Sequence, residues 1–520
     1  MKIISLKPGH DGSIAFLNNG HLVFCLEGEK NSFDRNHTLT PNLVLDAMSY
    51  LENIPDVLAI SGWIKGPDAE VMISDRDAEY YGIDPKNIIS NKSTFFGENI
   101  ARFSSSHERS HIMCSYGMSH FEQGEPCYVL VWEGRLGDFY KIDKDLNITH
   151  IGKVLKQPGV RYSCAYWVAN NFSEKGLRLS SAGKLMALTS FSDHSFPNDE
   201  EMKIIKFIAD YQGDIWRLTS KDFEWSPFLN SGVESHIFKN MSGKFSDYIF
   251  NIFYEYAKNN LTEKLPLLIS GGCGLNCDWN TKWKNCGLFS DVFVPPCSND
   301  SGSAIGTAVD AQFYYSGNAK INWNVYAGEE FIEDVDCKDK FEIYDLNYHQ
   351  VADFIKSDHV IAWIQGKYEI GPRALGNRSL LAAPFNEQMR DRLNQIKQRE
   401  SYRPIAPVCL EEDVSKYFDW SDPSPYMLYF QKLKTGKLKA ITHVDNTARV
   451  QTVNSSQNEK LHKLLMEFKV LTGFGVLCNT SLNFPGAGFI NEMSDLIRYC
   501  QLRGIDGFVV NDKFYLPKNL

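Results

Sequence analysis

The chain has 520 residues, of which 43% are apolar and 23% charged, with a net charge of −10 at neutral pH; this is the balance of a globular protein with room for two or three domains. No run approaches the roughly 20 apolar residues of a membrane span, and Met1 to Leu6 are followed too soon by Gly9-His10-Asp11-Gly12 for a secretion signal, so no membrane partner and a cytoplasmic location are expected. The acidic balance argues against broad attraction to duplex nucleic acid, a local basic groove aside, and 12 cysteines without framework or zinc-knuckle spacing are expected to be reduced core thiols.

In chain order, Ile3 to Leu6 reads as a strand running into Gly9-His10-Asp11-Gly12-Ser13. Ile14 to Leu17, the turn Asn18-Asn19-Gly20 and His21 to Cys25 carry a hairpin signal. His107 and His111 stand four apart, on one face of a helix that Ser104-Ser105-Ser106 would cap. Tyr128 to Trp132 form a second hairpin strand, turning through Glu133-Gly134-Arg135-Leu136-Gly137. Gly183 to Leu188 open a further helix. The buried strand Leu267 to Ile269 ends in a third glycine turn, Gly271-Gly272-Cys273-Gly274, with Asn276 beyond it. Glycine at such turns lets backbone N–H groups approach phosphates that a Cβ would hold off. Each turn can be no more than a turn; together, Gly134, Gly137, Gly271, Gly272 and Asn276 suggest the split phosphate loops of an actin-like ATPase. The segment Pro295 to Gly302 carries Asp300, which would complete a set of two histidines and one carboxylate with His107 and His111. Nitrogen and oxygen donors in that ratio, with positions left open, suit catalytic Fe(II), Zn or Mn. A lone His-x-x-x-His is more often two solvent-facing histidines on an amphipathic helix.

From about 313 to 345 the periodicity fades, a crossover into a second α/β region running from Tyr344 to Val510. After the strand Val360 to Ile364 comes the chain's most distinctive string, Gly366 to Ser379, which contains Gly371-Pro372-Arg373-Ala374-Leu375-Gly376. A helix with Asn394, Lys397 and Arg399 follows, and Pro404 fixes Arg403 in non-helical backbone. Arginines on rigid glycine and proline backbone suit bidentate anion contacts, so Arg373, Lys397 and Arg403 are candidates for a pocket that takes a small, highly charged anion. Thr442 to Gln451 and Val476 to Asn483 read as strands ending in polar groups, with Asn479 and Ser481 on one face.

Through Gly9-His10-Asp11-Gly12-Ser13, the His107/His111 pair, Gly271-Gly272 with Asn276, Asp300, Gly371 to Gly376, Arg403-Pro404 with Ala406-Pro407, and Asn479-Thr480-Ser481, the chain resembles the NodU/CmcH carbamoyltransferase family almost end to end. The resemblance implies an α/β protein of two domains. Residues 1–340 would form an actin-like (ASKHA) domain similar to the threonylcarbamoyl-adenosine transferase, and residues 345–520 a YrdC-like domain. The second would turn carbamoyl phosphate and ATP into carbamoyl adenylate. The first would pass the carbamoyl group to an acceptor hydroxyl and release AMP.

In those terms Arg373, Lys397 and Arg403 bind the carbamoyl phosphate. Arg449 holds the nucleotide phosphate, Met427 lies near the base, and Asn479 and Ser481 orient the adenylate. Fe(II) on His107, His111 and Asp300 grips the adenylate phosphate, Mg(II) accompanies ATP, and His10 takes the acceptor proton. The chain departs from the family at Glu133, where an aspartate is common, and at Glu27-Gly28-Glu29-Lys30, which replaces a more acidic, arginine-bearing string; this leaves nucleotide contacts there open. The opening Lys7 to Gly12 and the overall length are most similar to the cephalosporin branch, which implies a small-molecule alcohol with a hydroxymethyl group as acceptor. Hydroxymethylcytosine in DNA bears the same group, and a homodimer is compatible with the reading. An actin-like small-molecule kinase would leave the Gly371 motif and the metal set without use. A nucleotide-dependent interaction protein would need no carbamoyl phosphate pocket.

Overall fold

A computed structural model describes residues 1–30, 32, 34–66, 69, 74–170 and 181–518. The chain is mixed α/β and divides into two compact units. One gathers residues 1–120, 295–442 and 446–520; the other gathers 121–294 and 443–445. Among the described residues no helix is long and apolar enough to cross a membrane.

The first unit holds two large sheets. Six strands, β1 (Lys2–Lys7), β2 (Ser13–Asn18), β3 (His21–Glu27), β4 (Val57–Ser61), β5 (Ile89–Phe95) and β6 (Glu98–Ser105), lie in the order β3-β2-β1-β4-β6-β5. The expected hairpin is β2–β3; Asn19 and Gly20 both have positive φ (49° and 80°), as a two-residue turn between twisted strands demands. β1 and β2 are antiparallel, whereas β1, β4 and β6 are parallel, which brings the ends of β1, β4 and β6 to one edge. The chain leaves that edge through Ser106 into the helix His107–Met118.

In the second unit five strands, β7 (Cys127–Trp132), β8 (Gly137–Ile142), β9 (Ile148–Lys153), β10 (Leu267–Ser270) and β11 (Val292–Phe293), run in the order β11-β10-β7-β8-β9. β7 and β10 are parallel neighbours, Ser270 opposite Val131, so the second and third glycine turns leave the sheet side by side.

The other sheet of the first unit has eight strands. These are β12 (Phe341–Asp345), β13 (Ile361–Ile364), β14 (Arg378–Ala382), β15 (Ala406–Leu410), then, beyond the separate hairpin of β16 (Phe430–Lys432) and β17 (Thr447–Arg449), β18 (Gln451–Val453), β19 (Val476–Ser481), β20 (Gly507–Val510) and β21 (Lys513–Pro517). Their order is β12-β21-β20-β13-β14-β19-β15-β18. Alternation along β13 sends Ala362 and Ile364 into one core with Leu380 and Cys478, and Ile361 and Trp363 into another with Leu381, Leu461 and Phe468. Both faces are thus covered.

Two expectations need correcting here. Thr442 to Gln451 is not one strand: His443–Asp445 lie outside any strand, and the rest splits into β17 and β18, which pair with different partners. The helix Glu387–Ile396 stops before Lys397, its C-terminal cap, so Arg399 lies in the following turn.

Candidate functional site

Ser106 caps the His107–Met118 helix by accepting the Arg109 N–H at 3.0 Å, so His107 and His111 fall on its first turn and a half. All twelve residues of this helix are buried, His107 and His111 at 0% and 1% exposure, which removes the solvent-facing alternative. Asp300 opens the short helical turn ahead of the helix Ser303–Ser316. The two helices touch through backbone: a Cβ on Gly306 would fall onto the Ser110 carbonyl oxygen, so only glycine fits. Arg109 reinforces the seam, donating from Nε and Nη2 to the two carboxylate oxygens of Asp310 at 2.9 and 2.6 Å.

This seam brings the three expected donors together. His107 Nε2 and His111 Nε2 are 3.1 Å apart; Asp300 places Oδ2 3.5 Å from His107 and Oδ1 3.3 Å from His111. Donors around one small divalent ion at bonds of about 2.1 Å stand about 3.0–3.4 Å apart, so the set fits such an ion, with nitrogen and oxygen chemistry suited to Fe(II), Mn or Zn. Both imidazole Nε2 atoms also face the Asp300 carboxylate, so the three side chains converge on one point. Burial, with His111 and against the pull of Asp300, keeps His107 neutral, well below the usual imidazole range. Burial opposes ionisation of Asp300, yet Lys7, His107 and His10 hold its carboxyl well below the usual carboxylate range. The Nδ1 atom of His107 is buried without a hydrogen bond; Tyr80 stacked at 4.3 Å and the edge of Trp63 at 5.2 Å orient its ring instead.

His10 joins this group. Its Nε2 lies 3.7 Å from Asp300 Oδ2, its Nδ1 lies 3.1 Å from Asp11 Oδ2, and its ring meets Trp63 edge-on at 5.3 Å. Burial and Lys7 depress its pKa, but Asp300 and Asp11 outweigh them and leave it raised. The turn is fastened to the Asp300 segment by Ser13, whose hydroxyl donates to the Ser301 carbonyl at 2.8 Å. Sequence reading missed Lys7, which is fully buried, donates to the His10 carbonyl, stands 3.1 Å from Asp300 and lies over Trp63. A lysine closing the strand directly before the His10 turn was the available signal.

The glycine turns belong to the second unit. Gly271 has φ +96° and lies against the Trp132 carbonyl, and Gly137 packs on the Leu155 carbonyl, while Gly134 and Gly272 leave open or nearly open space around Cα. Asn276 caps the Cys277–Asn285 helix, accepting from Asp278 N (3.2 Å) and Trp279 N (3.3 Å). Glu133, at the departure from the family pattern, accepts the Leu136 N–H at 2.7 Å and so shapes its own turn.

In the eight-stranded region, Lys397 donates to the Ser481 carbonyl at 2.6 Å and to both oxygens of Asn483. Burial first, then Arg399, Arg35, Arg403 and Arg503, press its pKa well below the ordinary lysine value. Arg399 is depressed in the same way, by burial and then by Arg403 and Arg449. Arg403 has Glu400 as a distant carboxylate partner at 3.8 Å, and Arg449 Nε is buried without a hydrogen bond. So many cations sharing so little negative charge make an electrostatic well for a polyanion. The expected anion pocket was Arg373, Lys397 and Arg403, with Arg449 expected on the nucleotide phosphate and Ser481 on the adenylate; Arg35, Arg399 and Arg503 were not expected, being far apart in sequence or unremarkable in it. Asn479 Nδ2 donates to the Ala374 carbonyl at 3.2 Å and to Gln451 Oε1 at 2.8 Å, holding the backbone next to Arg373, while its Oδ1 is buried without a hydrogen bond. Met427, at φ +54°, is buried against Leu375 and Ala406. Glu369 shapes the same loop: one carboxylate oxygen accepts the N–H groups of Leu375 and Asn377, each at 2.7 Å, and of Arg378 at 3.2 Å.

Comparison with known proteins places these features in context. A model of the carbamoyltransferase N-terminus matches residues 96–309, and one of the carbamoyltransferase C-terminus matches residues 352–516. The 3'-hydroxymethylcephem-O-carbamoyltransferase of Amycolatopsis lactamdurans is 45% identical, covering 99% of this chain and 99% of its own. A protein of the same name from Streptomyces clavuligerus is 44% identical over the same shares. Nodulation protein U of Rhizobium tropici is 32% identical, covering 95% of this chain and 92% of its own.

Proposed function

Because the chain belongs to the carbamoyltransferase family and is an enzyme of that kind, we propose that it carbamoylates the hydroxyl of a hydroxymethyl group on a cephem-like small molecule, using ATP and carbamoyl phosphate. The observation that carries this reading is the meeting of His10 with the buried His107, His111 and Asp300 set, in a chain aligned end to end with enzymes named for a hydroxymethylcephem.

Activation is assigned to residues 345–520, whose eight-stranded sheet is separate from the two sheets of the preceding region, and transfer to an actin-like domain over residues 1–340. Water displaces phosphate from carbamoyl phosphate to leave carbamate, and a carbamate oxygen attacks the α-phosphorus of ATP, expelling pyrophosphate and forming carbamoyl adenylate. Arg399, Arg403 and Arg449, with Lys397 behind them, neutralise charge as it moves onto the departing oxygens. Mg(II) would accompany the triphosphate.

In transfer, the acceptor oxygen bonds to the carbamoyl carbon while the bond from that carbon to the adenylate oxygen breaks, releasing AMP. His10 takes the hydroxyl proton. Asp11 beside Nδ1 holds the hydrogen there, leaving the Nε2 lone pair to act as base. A divalent ion such as Fe(II), held by His107, His111 and Asp300, would supply Lewis acidity toward the phosphate. Lys7 and Trp63 fix the height of the His10 turn above that set. The glycine turns at 134–137 and 271–276 are proposed for the transfer-domain nucleotide.

The test is mass spectrometry of a 3-hydroxymethylcephem incubated with the protein, ATP, carbamoyl phosphate and Fe(II) or Mg(II). The expected outcome is a carbamoyl adduct with AMP and pyrophosphate in step. Formation of ADP and a phosphorylated acceptor would replace this reading with the kinase.

A further inference from the structure

Glu27 and Lys30 belong to the string where the chain departs from its family, and the chemistry above leaves both unused. Each is only 3% exposed. They converge on one residue, Gly371, which is 344 positions from Glu27 and 341 from Lys30. The N–H of Gly371 donates to Glu27 Oε1 at 2.5 Å, and the Gly371 carbonyl accepts from Lys30 Nζ at 2.6 Å, with that ammonium also 3.8 Å over the Phe489 ring.

Gly371 is a junction. At φ +83° it takes a conformation that L side chains avoid, and a Cβ there would fall onto the Pro296 carbonyl oxygen, in the segment that leads to Asp300. Two residues later the same loop presents Arg373. On the other side, Gly28 donates to the Gly12 carbonyl at 2.7 Å, so the turn bearing Glu27 and Lys30 also carries the His10 turn. The loop is further tied down by Gly488, whose N–H donates to the Ser32 carbonyl at 2.9 Å. Charge-assisted bonds to the N–H and to the carbonyl of one buried residue hold the two peptides on either side of its Cα far more firmly than neutral ones would.

We propose that Glu27 and Lys30 are positioning residues that clamp Gly371, fixing the anion-binding loop of Arg373 against the His10 turn and the Asp300 segment so that carbamoyl adenylate made at one site is used at the other. The inference rests on the two half-reactions proposed above. Loosening the clamp shifts Arg373 but leaves Lys397, Arg399, Arg403 and Arg449, which it does not touch, in place, so adenylate still forms; what is lost is its delivery, and the unused adenylate is attacked by water at the carbamoyl carbon, giving AMP and carbamate.

The experiment measures, on the full chain, carbamoyl-phosphate-dependent pyrophosphate release and carbamoylated product in the same reaction, for wild type, E27Q and K30M. Pyrophosphate release is expected within about twofold of wild type, with product per pyrophosphate down at least about fivefold. E27D and K30R, which keep the charges, should recover part of the ratio, and they carry the test if either neutral variant unfolds at the assay temperature. A ratio equal to wild type in the variants, or a parallel fall of both readings as a purely structural role would give, overturns the clamp. Absence of carbamoyl-phosphate-dependent release from the wild type itself overturns the underlying activity and the clamp with it.

Discussion

Arg109 and Asp310 make a two-pronged buried ion pair, with N–O distances of 2.9 and 2.6 Å, between the helix that carries both metal-site histidines and the helix that follows Asp300. Asp310 is fully buried, so Asp310→Ala would leave the guanidinium without a carboxylate in the core. A loss of about 3–5 kcal/mol is expected, measured by denaturant unfolding, and transfer activity should fall with it as the two helices lose their registration.

The two half-reactions should separate by mutation. His107→Ala or Asp300→Asn should keep carbamoyl-phosphate-dependent pyrophosphate release while losing product formation at least about 100-fold. Arg403→Ala should lose release itself, and supplied carbamoyl adenylate should restore product. Normal transfer by His107→Ala in chelator-treated buffer would remove the metal assignment.

Metal binding should be visible without turnover. Fe(II) or Mn(II) at about 100 times its dissociation constant should stabilise the wild type by about 2.7 kcal/mol, read as a rise in melting temperature, and should leave Asp300→Asn unmoved.

Glu27 makes stability depend on pH. Burial lifts its carboxyl from the ordinary 4.5 to about 7, with Lys30 and the Gly371 N–H pulling the other way. A group whose pKa is higher in the folded than in the unfolded chain stabilises fully below the unfolded value, here 4.5, and that contribution is lost as pH rises through the folded value of about 7. The full decline corresponds to about 3 kcal/mol, and Glu27→Gln should flatten it in melting curves recorded across that window. An unchanged slope would mean that Glu27 is ionised throughout.

The local grammar of the chain was readable before its geometry. Spacing placed His107 and His111 on one helical face, and the Asn19-Gly20 turn announced its hairpin. Ser106 rather than Ser104 became the cap because β6 runs on through Ser105. What spacing could not convey was which distant groups share a dry pocket. Lys7 is buried because β1 lies between β2 and β4, a fact of sheet order. Arg35 and Arg503 reach the neighbourhood of Lys397 only through folding across more than a hundred residues. Strand alternation put Asn479 and Ser481 on one face; that Asn479 Nδ2 also ties the Ala374 carbonyl to Gln451 follows from where β19 lies in the sheet, between β14 and β15, and not from the local sequence.

The Gly306 contact with the Ser110 carbonyl also bears on how this enzyme could be re-engineered. Two helices in backbone contact have no slack to give, so a bulkier acceptor cannot be admitted by spreading them apart. Trp63 and Tyr80 give no room either, since their rings hold His10 and His107 in place. A library aimed at new alcohols would therefore leave both the seam and these two rings alone.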